Sequence, residues 1–132
     1  MLPKRNNTFK HISWGRAKHH LRPILGAHFE EAQRRVLQGI ERVYVINDYS
    51  IALFRAEGYE LVVGGFAGNL EECAPLIAIQ AKSRGFKTIR AHITRRSELR
   101  KLRSLGLDFK QVEDKKCEAL NCHEFVIRLE LK

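Results

Sequence analysis

Long apolar runs are missing from this sequence. No uninterrupted stretch approaches the ~20 residues that a membrane-spanning helix needs, so no bilayer span is expected. The opening residues Met1-Leu2-Pro3-Lys4-Arg5 are basic but lead into no apolar segment, which argues against a secretory signal. Cysteine is scarce, with three residues at 73, 117 and 122. An odd, sparse set does not suit a disulfide scaffold. The expectation is a soluble cytosolic chain with free thiols and no membrane partner. Acidic residues are absent from positions 1–23, where Lys4, Arg5, Lys10, Arg16, Lys18 and Arg22 stand with His11, His19 and His20.

What is present bounds the rest. The 132 residues suffice for one domain with one main core. The apolar share of 44% is ordinary for a globular chain. The formal charge is +9, from 24 basic and 15 acidic side chains. That balance suits an anionic partner, whether nucleic acid, an acidic protein or a phosphorylated ligand, and equally a basic solvated surface. Phe9, Ile12 and Trp14 are interleaved with the basic residues of the first segment. A segment of this composition is expected to be an arm (residues 1–22) that docks on a partner or on its own domain (residues 23–132).

From Pro23 to Gly39 the spacing of Ile24, Ala27, His28, Ala32, Val36 and Leu37 predicts a helix. Strand-forming runs follow at 42–46, 51–55 and 59–63, joined by Asn47-Asp48 and Glu57-Gly58 turns, and predict antiparallel hairpins. Asn69 with Glu72 three residues on resembles a capping pair for a helix to Arg84, ended by Gly85. Pro75 suits only the beginning of that helix. Residues 86–93 alternate as a strand. Ser97 is placed to cap a short helix whose Leu99, Leu102 and Leu105 share one face. Arg95, Arg96, Arg100, Lys101 and Arg103 crowd its other side. Strands are predicted at 107–112 and 124–131. The fold class is α/β (α+β), a mixed, mostly antiparallel sheet flanked by helices.

This order, with Ala91-His92-Ile93-Thr94-Arg95-Arg96 and Leu102-Arg103-Ser104-Leu105-Gly106-Leu107-Asp108-Phe109, resembles the Gcn5-related N-acetyltransferase fold over residues 42–131. The string Ile89 to Arg96 with its basic helix is also similar to small acetyltransferase-like proteins encoded by bacteriophages, some of them virion components. The resemblance implies a loop that holds the pyrophosphate of coenzyme A through backbone N–H groups at a helix N-terminus. Gly64, Gly65, Gly68 and Asn69 are its counterparts here. The family's Gln or Arg and its Gly-x-Gly/Ala spacing are absent, and Glu71 and Glu72 would repel a phosphate. The resemblance further implies a tyrosine acid four residues before the turn glycine, a position held by Leu102. A general base would be Glu60 or His92.

Other chemistry is thinner. Cys117, Cys122 and His123 offer fewer than the four ligands of structural zinc, so no metal is expected. Cys73 beside Glu71 and Glu72 suits a buried apolar position better than a nucleophile. Two functions therefore compete. In the first, the chain is a non-catalytic scaffold without cofactor, a virion component assembled in the host cytoplasm. It would dock on neighbouring proteins or a nucleic-acid backbone through Lys4, Arg5, Lys10, Trp14, Arg16, Lys18, Arg22, Arg95, Arg96, Arg100, Lys101 and Arg103. In the second, it is a divergent acetyl-CoA-dependent N-acetyltransferase. The departures in the loop and at Leu102 favour the first.

Overall fold

The computed structural model describes residues 8–93, 95–117 and 122–132. Its elements in chain order are β1 (Phe9–Ile12), α1 (Trp14–Leu25), a 3-10 turn (Gly26–His28), α2 (Phe29–Leu37), β2 (Glu41–Ile46), β3 (Ser50–Glu57), β4 (Glu60–Ala67), α3 (Leu70–Ser83), β5 (Thr88–Ile93), α4 (Arg96–Ser104), β6 (Lys110–Cys117) and β7 (Cys122–Glu130). The strands form one sheet in the order 1-2-3-4-5-7-6. Strands β4 and β5 run parallel, joined through α3, and the other neighbours are antiparallel. This is the mixed, mostly antiparallel sheet with flanking helices that the sequence predicts.

Residues 8–22 dock on the chain's own domain, one of the two expectations for the arm. Strand β1 pairs with β2 from Phe9↔Ile46 to Ile12↔Val43, and Thr8 N donates to Asn47 Oδ1 at 2.9 Å. Helix α1 follows at once and buries Trp14, Ala17, Leu21 and Leu25. These recur at helical spacing and form one apolar stripe, with Arg16, His19, His20 and Arg22 exposed around it. The stripe packs on Phe29, Ala32, Val43, Ile51 and Leu53, the core of one sheet face. The boundary expected at residue 22 thus falls inside a core helix. Pro23 lacks the N–H of an interior turn, and Gly26 at φ +52° closes α1. The helix expected over 23–39 is accordingly two helices. Ile24 and Leu37, expected on its buried face, are exposed.

The other face carries α3 and α4 over Ile46, Ala52, Leu61, Ile89, Ile93, Ile127 and Leu129. Cys73 is fully buried there, an apolar position as expected. Asn69 caps α3, its Oδ1 accepting from Glu72 N at 3.1 Å. The return bond of a capping box is replaced. The Glu72 carboxylate accepts from Asn47 Nδ2 at 2.8 Å and from Tyr49 Oη at 2.7 Å, tying the β2–β3 hairpin to α3. Helix α4 begins two residues earlier than expected, with Arg95 rather than Ser97 at its cap.

Candidate functional site

The two parallel strands part company halfway. Strand β4 pairs with β5 from Glu60↔Thr88 to Val63↔Ala91, and there the register ends. Both strands continue. Residues Gly65 to Ala67 of β4 stay paired with β3, while His92 and Ile93 of β5 stay paired with β7. The cause is local. Leu53 opposes Gly65 and Phe54 opposes Val63, so Gly64 is an extra residue in β4. A bulge of this kind bends its strand and increases the twist. The second half of β4 carries no pairing with β5, and this unpaired interval between the two strands, at the end of β4 that leads into α3, is the cleft. Its β4 edge presents the backbone of residues 64–67, about 13 Å of strand at ~3.3 Å per residue. An extended ligand chain carrying amides could add to that edge as a strand does.

His92 lies on β5 just past the last β4 pair. Its Nδ1 meets Glu124 Oε1 at 2.8 Å, and both side chains are about one-quarter exposed. His92 is registered with Val126, so Glu124 is its diagonal neighbour on the same face of β7. A carboxylate on one ring nitrogen fixes the tautomer and orientation of an imidazole and supports the imidazolium formed on proton uptake. The sequence reading named His92 and missed Glu124. The signal was the strict alternation of residues 124–131, which puts 124, 126 and 128 on one face, but only the strand register tells which histidine they face.

Glu60, the other candidate base, stands apart from His92. It lies at the start of β4, at the opposite end from the cleft. Its carboxylate accepts from Arg128 Nε at 2.6 Å, Thr88 Oγ1 at 2.9 Å and Arg90 Nη1 at 3.0 Å. Burial pushes its pKa up, but the bonds from Arg128 and Thr88 and the charges of Arg128 and Arg90 outweigh it and hold the carboxyl below its ordinary value. A group held ionised and triply bonded is a poor proton acceptor. The ladder continues through Arg90 Nη2 to Glu57 at 2.6 Å, Arg55 Nε to Glu57 at 3.0 Å, and Arg55 Nη1 to Glu41 at 3.4 Å. Arg35 of α2 closes it on Glu41, whose side chain is fully buried. Glu60 is thus a structural anchor across β4, β5 and β7.

The glycines expected at a pyrophosphate are also explained from within. A Cβ on Gly64 would come within 2.7 Å of Glu41 Oε2, and one on Gly65 within 3.3 Å of Leu25 Cδ2, both on the α1 face. Gly68 at φ +134° would place a Cβ 2.8 Å from Ser50 Cα. Ser50 Oγ accepts from Asn69 N at 3.1 Å, and Asn69 Oδ1 takes Glu72 N. The cradle is therefore filled by the chain's own groups, and Glu71 and Glu72 add negative charge in the first turn. It does not fit a pyrophosphate in the way the resemblance implies. The nearby cation is Lys101 of α4, whose Nζ lies 3.6 Å from Glu71. Leu102, at the position of the implied tyrosine, is buried in the core.

The described basic residues of that set are spread over both faces of the sheet. Trp14 is buried, with Nε1 donating to Gln33 Oε1 at 2.8 Å and its ring 5.3 Å from that of Phe29. Lys10 pairs with Asp48 at 3.4 Å, and Arg22 stacks on Phe29 at 4.1 Å. Arg16 and Lys18 lie outward on α1. On the opposite sheet face Arg96 covers Phe125 at 5.0 Å, and Arg103 Nε donates to Phe109 O at 3.0 Å. Arg95 and Arg100 are exposed. Lys4 and Arg5 lie outside the described residues, as do the side chains of Cys117, Cys122 and His123.

No family profile matches the sequence, and no curated protein does. Solved structures match closely in shape. A Bacillus subtilis acetyltransferase in complex with CoA aligns over 98% of this chain and 100% of its own, with a TM-score of 0.69 and 11% identity. The Escherichia coli ribosomal-protein-S18-alanine N-acetyltransferase aligns over 96% and 95%, with a TM-score of 0.69 and 11% identity. A GNAT-family acetyltransferase from Elizabethkingia anophelis with acetyl-CoA bound aligns over 97% and 100%, with a TM-score of 0.68 and 12% identity. The chain has the Gcn5-related N-acetyltransferase fold. The expectation of a non-catalytic structural virion protein is corrected by these neighbours, which are acetyltransferases aligned over nearly the whole chain. The departures that favoured it affect the phosphate loop and Leu102 and leave the cleft intact.

Proposed function

We propose that this chain is an acyl-CoA-dependent N-acyltransferase. The observation that carries the reading is the cleft between β4 and β5, opened by the Gly64 bulge and bordered by the His92–Glu124 pair. The shape shared with acetyltransferases that hold CoA or acetyl-CoA supports it. The β4 edge at residues 64–67 would hold the amide-bearing arm of the donor, and Lys101 is the cation placed toward its phosphates. Bound acyl-CoA would supply a thioester carbonyl for attack by an acceptor amine. His92 takes the proton that the amine loses, at Nε2, while Glu124 holds Nδ1. The thiolate leaves and takes a proton from solvent, since Leu102 supplies none.

Release of free thiol from acetyl-CoA across a panel of primary amines tests this directly. Losing a positioned general base costs about 10²–10⁴-fold in rate. His92→Gln should lose kcat in that range together with the rising limb of the pH–rate profile. Glu124→Gln should lose less and keep the limb. A thermal midpoint raised by saturating acetyl-CoA is expected, since a hundredfold excess over Kd adds about 2.7 kcal/mol. Neither a midpoint shift nor thiol release with any amine would end the proposal.

A further inference from the structure

A second cavity lies away from the cleft, at the other end of β4. Helix α3 packs over the middle of its sheet face and leaves a groove beside it, above β1, β2 and β3. The groove encloses about 350 Å³. Phe9, Tyr44 and Phe54 supply its floor and Phe86 its end, with Arg42 and Arg84 also in its lining. Tyr44 and Phe54 lie with ring centroids 5.7 Å apart. Arg42 is the direct cross-strand partner of Phe54, so its cationic stem rises from the same face as the aromatic floor. Arg84 stands at the C-cap of α3. With its amide turned to suit the guanidinium, Gln80 accepts from Arg84 Nε at 2.9 Å and Nη2 at 3.3 Å.

The charge is what marks the groove. The ladder cations Arg35, Arg55, Arg90 and Arg128, of which Arg55 also borders the groove, all meet carboxylates of Glu41, Glu57 or Glu60. Among the described residues, no carboxylate lies within ion-pair distance of Arg42 or Arg84. A concave apolar lining with a few convergent polar groups is the usual form of a small-molecule site. Two guanidiniums without carboxylates over aromatic rings favour a planar anion, which they can bind in bidentate fashion while its body stacks below.

We infer that this groove binds a small organic anion with a flat apolar body, an aromatic carboxylate or sulfonate in class, at a site separate from the cleft. Leu61 in its lining is five residues from Phe66 on the cleft edge, about 16 Å along the strand.

The test uses two dyes with the same rings. The probe is 8-anilinonaphthalene-1-sulfonate, and its uncharged control is N-phenyl-1-naphthylamine. Fluorescence titration of the full chain should give one saturable sulfonate site. Arg42→Gln and Arg84→Gln should each weaken it about tenfold, the factor expected for one charged hydrogen-bonding partner. Both side chains are exposed, so the folded transition should persist, checked by circular dichroism. The neutral dye should bind the three proteins alike. Excess acetyl-CoA should leave the sulfonate bound, and it keeps this outcome distinct from the fate of the acyltransferase reading. No saturable binding, equal affinity for the two dyes, indifference to both arginine variants, or displacement by acetyl-CoA would each overturn the inference.

Discussion

Deleting residues 1–22 removes β1 and the first nine residues of α1, with Trp14, Ala17 and Leu21 among them. Trp14 is 7% exposed, and Ala17 and Leu21 are fully buried. Truncating a buried Trp costs about 3–5 kcal/mol and a buried Leu about 2–5 kcal/mol. Together these approach the whole stability of a domain, about 5–15 kcal/mol. The deletion also exposes the edge of β2 and the apolar face beneath α1. We therefore expect the truncated chain to lose cooperative unfolding and to aggregate. Because a deletion tests many contacts at once, Leu21→Ala gives the measured step. It should cost about 3 kcal/mol, which lowers the urea midpoint by about 1.5 M at a slope of about 2 kcal/mol/M. Far-UV circular dichroism during urea titration reads both. A truncated protein with a sharp transition and an intact sheet signal, or a Leu21→Ala midpoint within about 0.3 M of the parent, would refute the integration of this segment into the core.

Two further outcomes follow from buried and half-buried acids. Glu41→Gln removes the carboxylate shared by Arg35 and Arg55. Breaking a buried pair costs about 3–5 kcal/mol. Glu31 at 2.8 Å from Arg35 and Glu57 at 3.0 Å from Arg55 retain part of the compensation, which places the loss at the lower end. A loss below about 1 kcal/mol in urea unfolding would mean that the ladder is no more than a surface network. Burial raises the pKa of Glu98, against the opposing charges of Arg95 and Lys101. The folded state then holds this proton more tightly than the unfolded state, so stability falls as pH rises through the carboxylate range to the folded value. Glu98→Gln should gain stability over the parent at neutral pH and not at about pH 3.5. Equal gains at both pH values would contradict the sign.

The parts of the fold legible in the sequence are those set by neighbours a few residues away. The Asn69 cap and the alternation of residues 124–131 could be read because each depends on local spacing. The β2–β3 turn could be read from Asn47 and Asp48, which take φ +52° and +69° in the structure. The first helix was hidden in plain composition. Its stripe of Trp14, Ala17, Leu21 and Leu25 has helical spacing, but the basic groups around it dominated the reading. Charge there describes the solvent face only, and the buried face decides where the segment goes.

The candidate site divides in the same way. His92 was legible as an imidazole on a strand, while its partner Glu124 lies 32 positions on and meets it only through the β5–β7 register. Glu60 looked equally able to act as a base, until Arg90 and Arg128 arrived from β5 and β7. Gly64 and Gly65 looked like a phosphate nest, yet the space they leave is taken by Glu41 and Leu25. The sequence alone determined the element types beyond residue 28, the basic charge and the broad α/β class, because propensity, periodicity and composition are local properties. The tertiary structure decided which strands separate, which carboxylate faces which cation and which glycines serve packing, because those depend on pairing between residues far apart in the chain.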